Sequence, residues 1–396
     1  MYMNYNFIDC HTRVNCHETF TYTDKTKMIV ALSHKGISSD IDLDSIYLKD
    51  VSFFYLDRSN LYPSMIAVGK KISHLLSNCA GDICVNLVNI PVGLKMAFCQ
   101  RVMKHCYTYY EAVNFKEHKH FKDIIFRDIP KFKGSILDLI HQASCADLTR
   151  RIENSRDDDT PLKFCQKIKS VFTKKKFINI HIYDNKQANK ITNNNFINDD
   201  NARFMILEIE RDIRLPTICL IGESVMMQNN QYKSGGAVVS GILNYYTRFG
   251  KKDKCNIVAI LPVIDYLDTS DSHASSHKMI QNTIEFTQIT YKPRYIISFA
   301  SAPHVITDVQ HQTMVCYSSN EGLLDRIVHI GKDVGENISV SRNRNVLLFN
   351  TQNVIHFNIV NDITHDVFHG NGVCLGIKLV KNLMNNRKVR NSKNKN

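Results

Sequence analysis

Apolar residues recur along the chain in two rhythms, and changes of rhythm mark its elements. In the first third short β-rich runs dominate: MIVALS (28–33), VSFFYL (51–56), MIAVGK (65–70) and ICVNLVNI (83–90). Short runs rich in Val, Ile and aromatic residues read as strands. Helical patterns lie between or after them, over residues 72–76 and 94–113. The alternation predicts an α/β domain.

The pattern breaks at ADLTRRIENSRDDDTPLKFCQKIKSVF (146–172). An acidic stretch gives way to Thr160-Pro161, with Thr as N-cap and Pro at the first helical position. The helix that follows carries Leu162, Phe164, Cys165 and Ile168 on one side, and the connection between two domains is expected here. Beyond it come strand-like runs at 177–183, 202–210 and 215–223, with a polar Asn/Asp-rich loop at 194–201. Gly235-Gly236-Ala237 opens a helix through Arg248, followed by the strand NIVAILPVI (256–264) and a helix over 275–290. The run YKPRYIISFAS (291–301) is almost continuously apolar, as in strands buried on both faces of a sheet. Two further helices are predicted over 321–333 and 374–384.

Composition narrows the class. Hydrophobic residues make up 43% and charged residues 22% of 396 positions, which is ordinary for a globular protein. No run approaches the roughly 18 apolar residues of a membrane span. The N-terminus lacks the basic start and apolar stretch of a secretion signal, so a cytoplasmic, non-secreted protein without membrane contact is expected, a viral particle or organelle included. The 12 cysteines then read as reduced thiols, mostly buried. A net charge of +12 is concentrated in Lys174-Lys175-Lys176, Lys251-Lys252 and the tail from Lys378 to Lys395. Such charge fits nucleic acid or acidic partners as well as a solvated basic surface. The last residues, 385–396, read as a basic disordered tail.

In sequence order, LTRRIENSRDDDTPLKF, RFMILEIERDIRLPTICLIGES, SGGAVVSGILNYY, NIVAILPVID and YKPRYIISFAS resemble the leucyl (cytosol) aminopeptidases. FFYLDRSNLYPSMIAVGKK and GNGVCLGIKLVKNLM carry the likeness more faintly towards both ends. The resemblance implies an N-terminal macro-like α/β domain (1–145), connecting helices (146–175) and an aminopeptidase-like domain (176–384). The latter would hold a mixed, mostly parallel central sheet flanked by helices.

The family's chemistry uses two metal ions that clamp a bridging water, held mainly by carboxylates. Carried over position by position, the resemblance implies that this set is gone. Glu223 stands at the family's metal-binding lysine, and Gln228 falls near its first aspartate. The loop carrying the catalytic lysine is deleted between Gln228 and Tyr232. Lys233 replaces an aspartate, Ala274 and Ser276 replace the metal aspartate and glutamate, and Lys278 replaces the arginine. Ser301-Ala302-Pro303 stands for the closing Thr-Leu-Thr. A slip of register around the shortened loop brings Asp268 or Asp271 closer, yet no register restores the set. The expectation is a pseudoenzyme without cofactor, acting as a scaffold in a homo-oligomer or larger assembly. The alternatives are a nucleic-acid-binding or regulatory protein, and a residual metal-dependent aminopeptidase.

Other constellations are weaker. Cys10, His11, Cys16 and His17 could supply four zinc ligands, but their gap is not a usual knuckle spacing. His273 and His277, four apart, could share one helical face around a metal, or be ordinary surface or core histidines. Cys10, Cys79, Cys84 and Cys145 lack an accompanying base, which argues against a cysteine nucleophile. His118 and His120 read as a solvated basic face. The Gly235-Gly236 helix start suits either an anion or close helix–strand packing.

Overall fold

The computed structural model describes residues 4–6, 12–17, 26–33, 50–55, 82–87, 95, 99, 122–127, 133–153, 160–173, 175, 177–192, 200–226, 231–248, 255–265, 272–302, 314–334, 338–341, 353–360 and 372–385. The chain divides into two compact units, Met1–Ser144 and Cys145–Asn396.

The first unit contains a six-stranded sheet of β1 (Asn4–Asn6), β2 (Thr12–His17), β3 (Thr26–Ser33), β4 (Asp50–Tyr55), β5 (Asp82–Asn86) and β6 (Lys122–Arg127). Their order is β1-β2-β6-β5-β3-β4. All pairings are parallel except that of β1 with β2. The runs at 28–33, 51–56 and 83–90 thus form strands, the last shorter than its apolar stretch. The strand expected over 65–70 lies outside the described residues, as do His118 and His120. Of the expected helix over 94–113, only Lys95 and Cys99 are described, both helical. Helix α1 (Lys133–Glu153) leads out of this unit and past its boundary.

The second unit is built on a ten-stranded mixed sheet. Its strands are β7 (Asn179–Asp184), β8 (Arg203–Ile209), β9 (Thr217–Gly222), β10 (Ser224–Met226), β11 (Gln231–Tyr232), β12 (Asn256–Asp265), β13 (Tyr295–Ala302), β14 (Met314–Tyr317), β15 (Ile338–Val340) and β16 (Val354–Val360). The centre, β12-β9-β13-β16, is parallel, while β8 and β14 join it antiparallel. The helices are α2 (Pro161–Phe172), α3 (Asn185–Thr192), α4 (Ser234–Arg248), α5 (Ser272–Tyr291), α6 (Glu321–Val334) and α7 (Val373–Asn385).

Both faces of the central strands are buried, which explains their unbroken apolar sequences. Ile218, Leu220, Ile257, Ala259, Ile297 and Phe299 point into one core with α2, α4, α6 and α7. The alternate residues Cys219, Ile221, Val258, Ile260 and Ile296 face a second core, covered by Met279, Ile280, Ile284 and Phe286 of α5. Helix α4 is buried on every side from Ser234 to Tyr246. The Tyr246 hydroxyl, deep in this core, donates to the Ile377 carbonyl of α7 at 2.8 Å.

Local expectations for α2 hold with one exception. Thr160 caps the helix by accepting from the Lys163 N–H at 3.3 Å, and Phe164, Cys165 and Ile168 are buried. Leu162 is instead exposed, because the helix buries the stripe that includes Phe172 rather than the one through Leu162. Of the described cysteines, Cys99, Cys145, Cys165, Cys219, Cys255, Cys316 and Cys374 are buried thiols outside any disulfide.

Candidate functional site

Open α/β sheets place ligands at the carboxyl ends of their parallel strands. Here that edge is formed by the ends of β9, β12 and β13, with the head of α4 above it. Strands β9 and β10 run along β12 in one continuous register, Ile221 opposite Ile260 and Ser224 opposite Val263. Gly222 and Glu223 are therefore a kink in a single strand rather than a turn between two.

That kink is held from both sides. The Glu223 N–H donates to the Phe299 carbonyl at 3.0 Å, and the Glu223 carbonyl accepts from the Gly236 N–H at 3.2 Å. The same Gly236 N–H lies 3.3 Å from Ser224 Oγ, and that hydroxyl is 3.4 Å from the Lys233 carbonyl. Helix α4 starts on Lys233, whose carbonyl takes the first helical bond from the Ala237 N–H at 3.0 Å.

Small residues make this approach possible. A Cβ at Gly222 would lie 2.6 Å from the Gly235 carbonyl oxygen, and one at Gly236 would lie 2.5 Å from Ser224 Oγ. A Cβ at Gly235 would collide with the carbonyl oxygens of Glu223 and Phe299. Of the two uses open to Gly235-Gly236, the geometry supports packing: the Gly236 N–H that an anion would need already serves Glu223 and Ser224.

Two charged side chains are sequestered at this edge. Glu223 is 2% exposed and Lys233 is 1% exposed. The first turn of α4 contains no acidic residue, and Lys233 sits at the positive end of the helix dipole, where a cation is disfavoured by about 0.3–1 kcal/mol. Helix α5 leaves the same side of the sheet after β12, and its opening turns carry Ala274 and Ser276. Lys278, on the following turn, is exposed. Gln228, Asp268, Asp271 and Pro303 lie outside the described residues, while Ser301 and Ala302 end β13.

A pair of divalent cations needs several anionic oxygen ligands. Among the described residues this edge offers the carboxylates of Glu223 and of Asp265, at the end of β12, together with the buried Lys233. No group of three or more His, Cys, Asp or Glu side chains able to hold a metal occurs among the described residues. The described side chains of this edge alone fall short of the anionic oxygens that two dications need.

Solved structures with the same architecture include the following, all at low sequence identity. A mutant of tomato leucine aminopeptidase superposes with a TM-score of 0.74 at 11% identity, covering 93% of this chain and 96% of that one. The bottromycin maturation enzyme BotP gives 0.71 at 12% identity, with coverages of 91% and 99%. BotP in complex with Mn gives 0.70 at 11%, with coverages of 91% and 100%. The fold is leucine-aminopeptidase-like. No protein-family model matches the sequence, and neither does any curated protein.

The remaining candidates fall as follows. Cys10, His11 and Cys79 lie outside the described residues. Cys16 and His17 are on β2 and Cys84 is on β5. His273 and His277 lie in the opening turns of α5. Cys145 is buried on α1, and desolvation pushes its thiol up to about 12, which opposes a thiolate nucleophile.

Two polar clusters escape sequence reasoning. His356 on β16 lies buried with Nδ1 3.1 Å from Ser298 Oγ and Nε2 2.9 Å from Asn358 Oδ1. Ser298 and His356 are direct cross-strand neighbours, a relation visible only once β13 and β16 are paired. The second cluster surrounds Lys175, whose amine bonds Asn244 Oδ1 and, at 2.7 Å, Thr247 Oγ1. Read from sequence, Lys175 belonged to a basic cluster open to nucleic acid, acidic partners or solvent; in the fold it is half-buried against α4. No helix among the described residues is long and apolar enough to cross a membrane.

Proposed function

We propose that this protein is a catalytically inactive relative of the leucyl aminopeptidases that serves as a structural or scaffolding component of a larger assembly. The observation that carries the reading is Lys233, a cation buried at the head of α4 where the fold brings β9, β12 and β13 to a common edge. A lysine there brings no anionic oxygen, and in its ammonium form it repels a dication. The positions matched by resemblance to metal carboxylates add Ala274 and Ser276, which offer no anionic oxygen. The overall architecture is meanwhile shared with leucine-aminopeptidase-like structures over 91–93% of the chain, as selection for shape rather than turnover would leave it.

The test is hydrolysis of aminoacyl amides by the full chain with added Mn²⁺ or Zn²⁺, run beside thermal unfolding with and without metal. No turnover and no metal-dependent rise in Tm are expected. Turnover that a chelator abolishes would overturn the reading. Native-mass sizing with pull-down from the source cell tests the scaffolding half. A monodisperse monomer without protein companions would count against it.

The charge of +12 favours a second reading, nucleic-acid binding through the basic surface. It predicts a steep salt dependence that a protein scaffold would not show.

A further inference from the structure

The parallel strands of the second unit start at the edge opposite Glu223 and Lys233, and apolar side chains project from that edge. Ile213 is 87% exposed, Ile289 76% and Phe177 71%, the most exposed large hydrophobic residues among those described. Topology brings them together. Phe177 leads into β7, whose first residue, Asn179, pairs with Glu208 near the end of β8. Ile213 lies in the turn from β8 to β9, and Ile289 on the last turn of α5, just before β13. These strands lie in the order β7-β8-β12-β9-β13, so the three tips spread along about 20 Å of edge.

The tips are held by the fold. Asn256, at the start of β12, accepts from the Arg211 and Asp212 N–H groups, and the Leu215 N–H donates to the Asp212 carbonyl at 2.9 Å. The Arg294 N–H donates to the Thr217 carbonyl at 2.8 Å, and the Tyr291 hydroxyl to the Glu208 carboxylate at 2.8 Å.

Positive charge gathers at the same edge. Four connections begin and end there, over residues 173–178, 210–216, 247–255 and 290–294, and they hold eleven Lys and Arg against three Asp and Glu. The resulting net of +8 is two thirds of the chain's +12. Of the described carboxylates near the tips, Asp212 is paired with Arg214 at 2.8 Å, Glu210 is exposed, and Glu285 lies one turn back from Ile289 along α5.

A partner must satisfy both features. Nucleic acid supplies phosphates, but its bases stack on aromatic rings rather than on isoleucine. A second copy would bring like charge against like charge. Three separated tips are not the contiguous apolar patch of a protein interface. An anionic bilayer offers a charged headgroup layer with an apolar layer directly beneath it. We propose that this edge docks on anionic lipid membranes, with Ile213, Ile289 and Phe177 entering the acyl boundary and the surrounding Lys and Arg meeting headgroup phosphates. The absence of a long apolar run excludes spanning and does not bear on such surface docking. The proposal is independent of whether the opposite edge holds metal.

The experiment floats the full chain with phosphatidylcholine vesicles, and with vesicles containing about 30% phosphatidylserine. Association with the anionic vesicles alone is expected. Ile213→Ser and Ile289→Ser, both at exposed positions, each weaken it about tenfold, with folding checked by circular dichroism. Lys292→Asn, which suits the positive φ of 44° there, weakens it about fivefold. Lys163→Gln changes it less than about twofold, because α2 begins at the other edge, where the neighbouring Phe164 ring approaches Gly236. No association with anionic vesicles, or equal association with neutral ones, overturns the proposal. So does association that survives both isoleucine substitutions, which would be purely electrostatic. Tighter binding to a single-stranded oligonucleotide than to the vesicles would assign the edge to nucleic acid, and dimerisation abolished by Ile213→Ser would assign it to a second copy. Either result overturns the lipid occupant.

Discussion

Replacing Gly235 with alanine tests how the head of α4 is seated. The added methyl would meet two backbone carbonyl oxygens, those of Glu223 and Phe299, and the Glu223 nitrogen at 2.8 Å. None of these is the far end of a flexible side chain, so relief requires α4 to move away from the sheet. That movement breaks the bond from the Gly236 N–H to the Glu223 carbonyl and loosens the one from the Glu223 N–H to the Phe299 carbonyl. Two buried hydrogen bonds contribute about 1 kcal/mol each, and overpacking costs about 1–3 kcal/mol more. The expected loss is therefore about 3–5 kcal/mol, a large fraction of a typical domain's stability. Gly322→Ala is the control. Gly322 is exposed on α6 and its Cβ would lie 3.6 Å from Asn320 Oδ1, an ordinary contact. Helix propensity alone then predicts a gain of about 0.5–1 kcal/mol. Urea unfolding followed by circular dichroism gives both midpoints under one set of conditions. Gly235→Ala within about 0.5 kcal/mol of the parent, the scatter of a neutral surface change, would refute the packing argument.

Three further outcomes are expected. Asn256, 7% exposed, closes the turn after β8 by accepting from the Arg211 and Asp212 N–H groups and donating to the Asp212 and Leu215 carbonyls. Asn256→Ala should cost about 2–4 kcal/mol in urea unfolding, and a loss below about 1 kcal/mol would show that water replaces these bonds. Lys175 binds its proton less tightly folded, at about 8, than the ordinary 10.5. The unfolded chain thus holds more protons between those values, so wild-type stability should rise with pH across that window relative to Lys175→Met. After allowance for partial exposure the relative gain is about 1–2 kcal/mol, and a flat difference from pH 7 to 10.5 would contradict the assigned burial. If the basic surface binds DNA, log Kd should rise linearly with log salt between 50 and 200 mM by the counterion-release argument, and binding insensitive to salt would exclude an electrostatic interface.

The second unit was legible where strands bury both faces. NIVAILPVI and YIISFAS are apolar at successive positions, and they form β12 and β13 at the centre of the sheet. The cap and proline at Thr160-Pro161 located α2 to the residue, because capping is a local interaction. Strands β14 and β16 were missed: MVCY is short, and VIHFNIV carries His356 and Asn358 among its apolar residues. Those polar side chains are tolerated because Ser298 on the paired strand satisfies the ring, and that pairing spans distant sequence. Helix α3 escaped for the opposite reason, since NKQANKIT is almost wholly polar and takes its place by packing on β7 and β8. At the candidate edge, Glu223 and Lys233 were recognisable by resemblance, but their burial was not. Nothing in the string IGESVMMQNNQYKSGGA distinguishes a solvated lysine from one sealed at a helix head.

The same glycines show how closely this architecture seats α4 on the sheet. Gly222, Gly235 and Gly236 are required by backbone contact between β9 and α4, whatever side chains surround them. Their pattern therefore reports the seating of a helix on a sheet and carries no information about catalysis. Chemistry is decided by the residues that flank them, Glu223 on the strand and Lys233 on the helix, whose side chains are buried but are not what seats the helix. Fold and activity are separable at this edge, since substitutions at Glu223 or Lys233 change the charge of the site without altering the glycine contacts. Activity at this edge therefore has to be assayed rather than inferred from the fold.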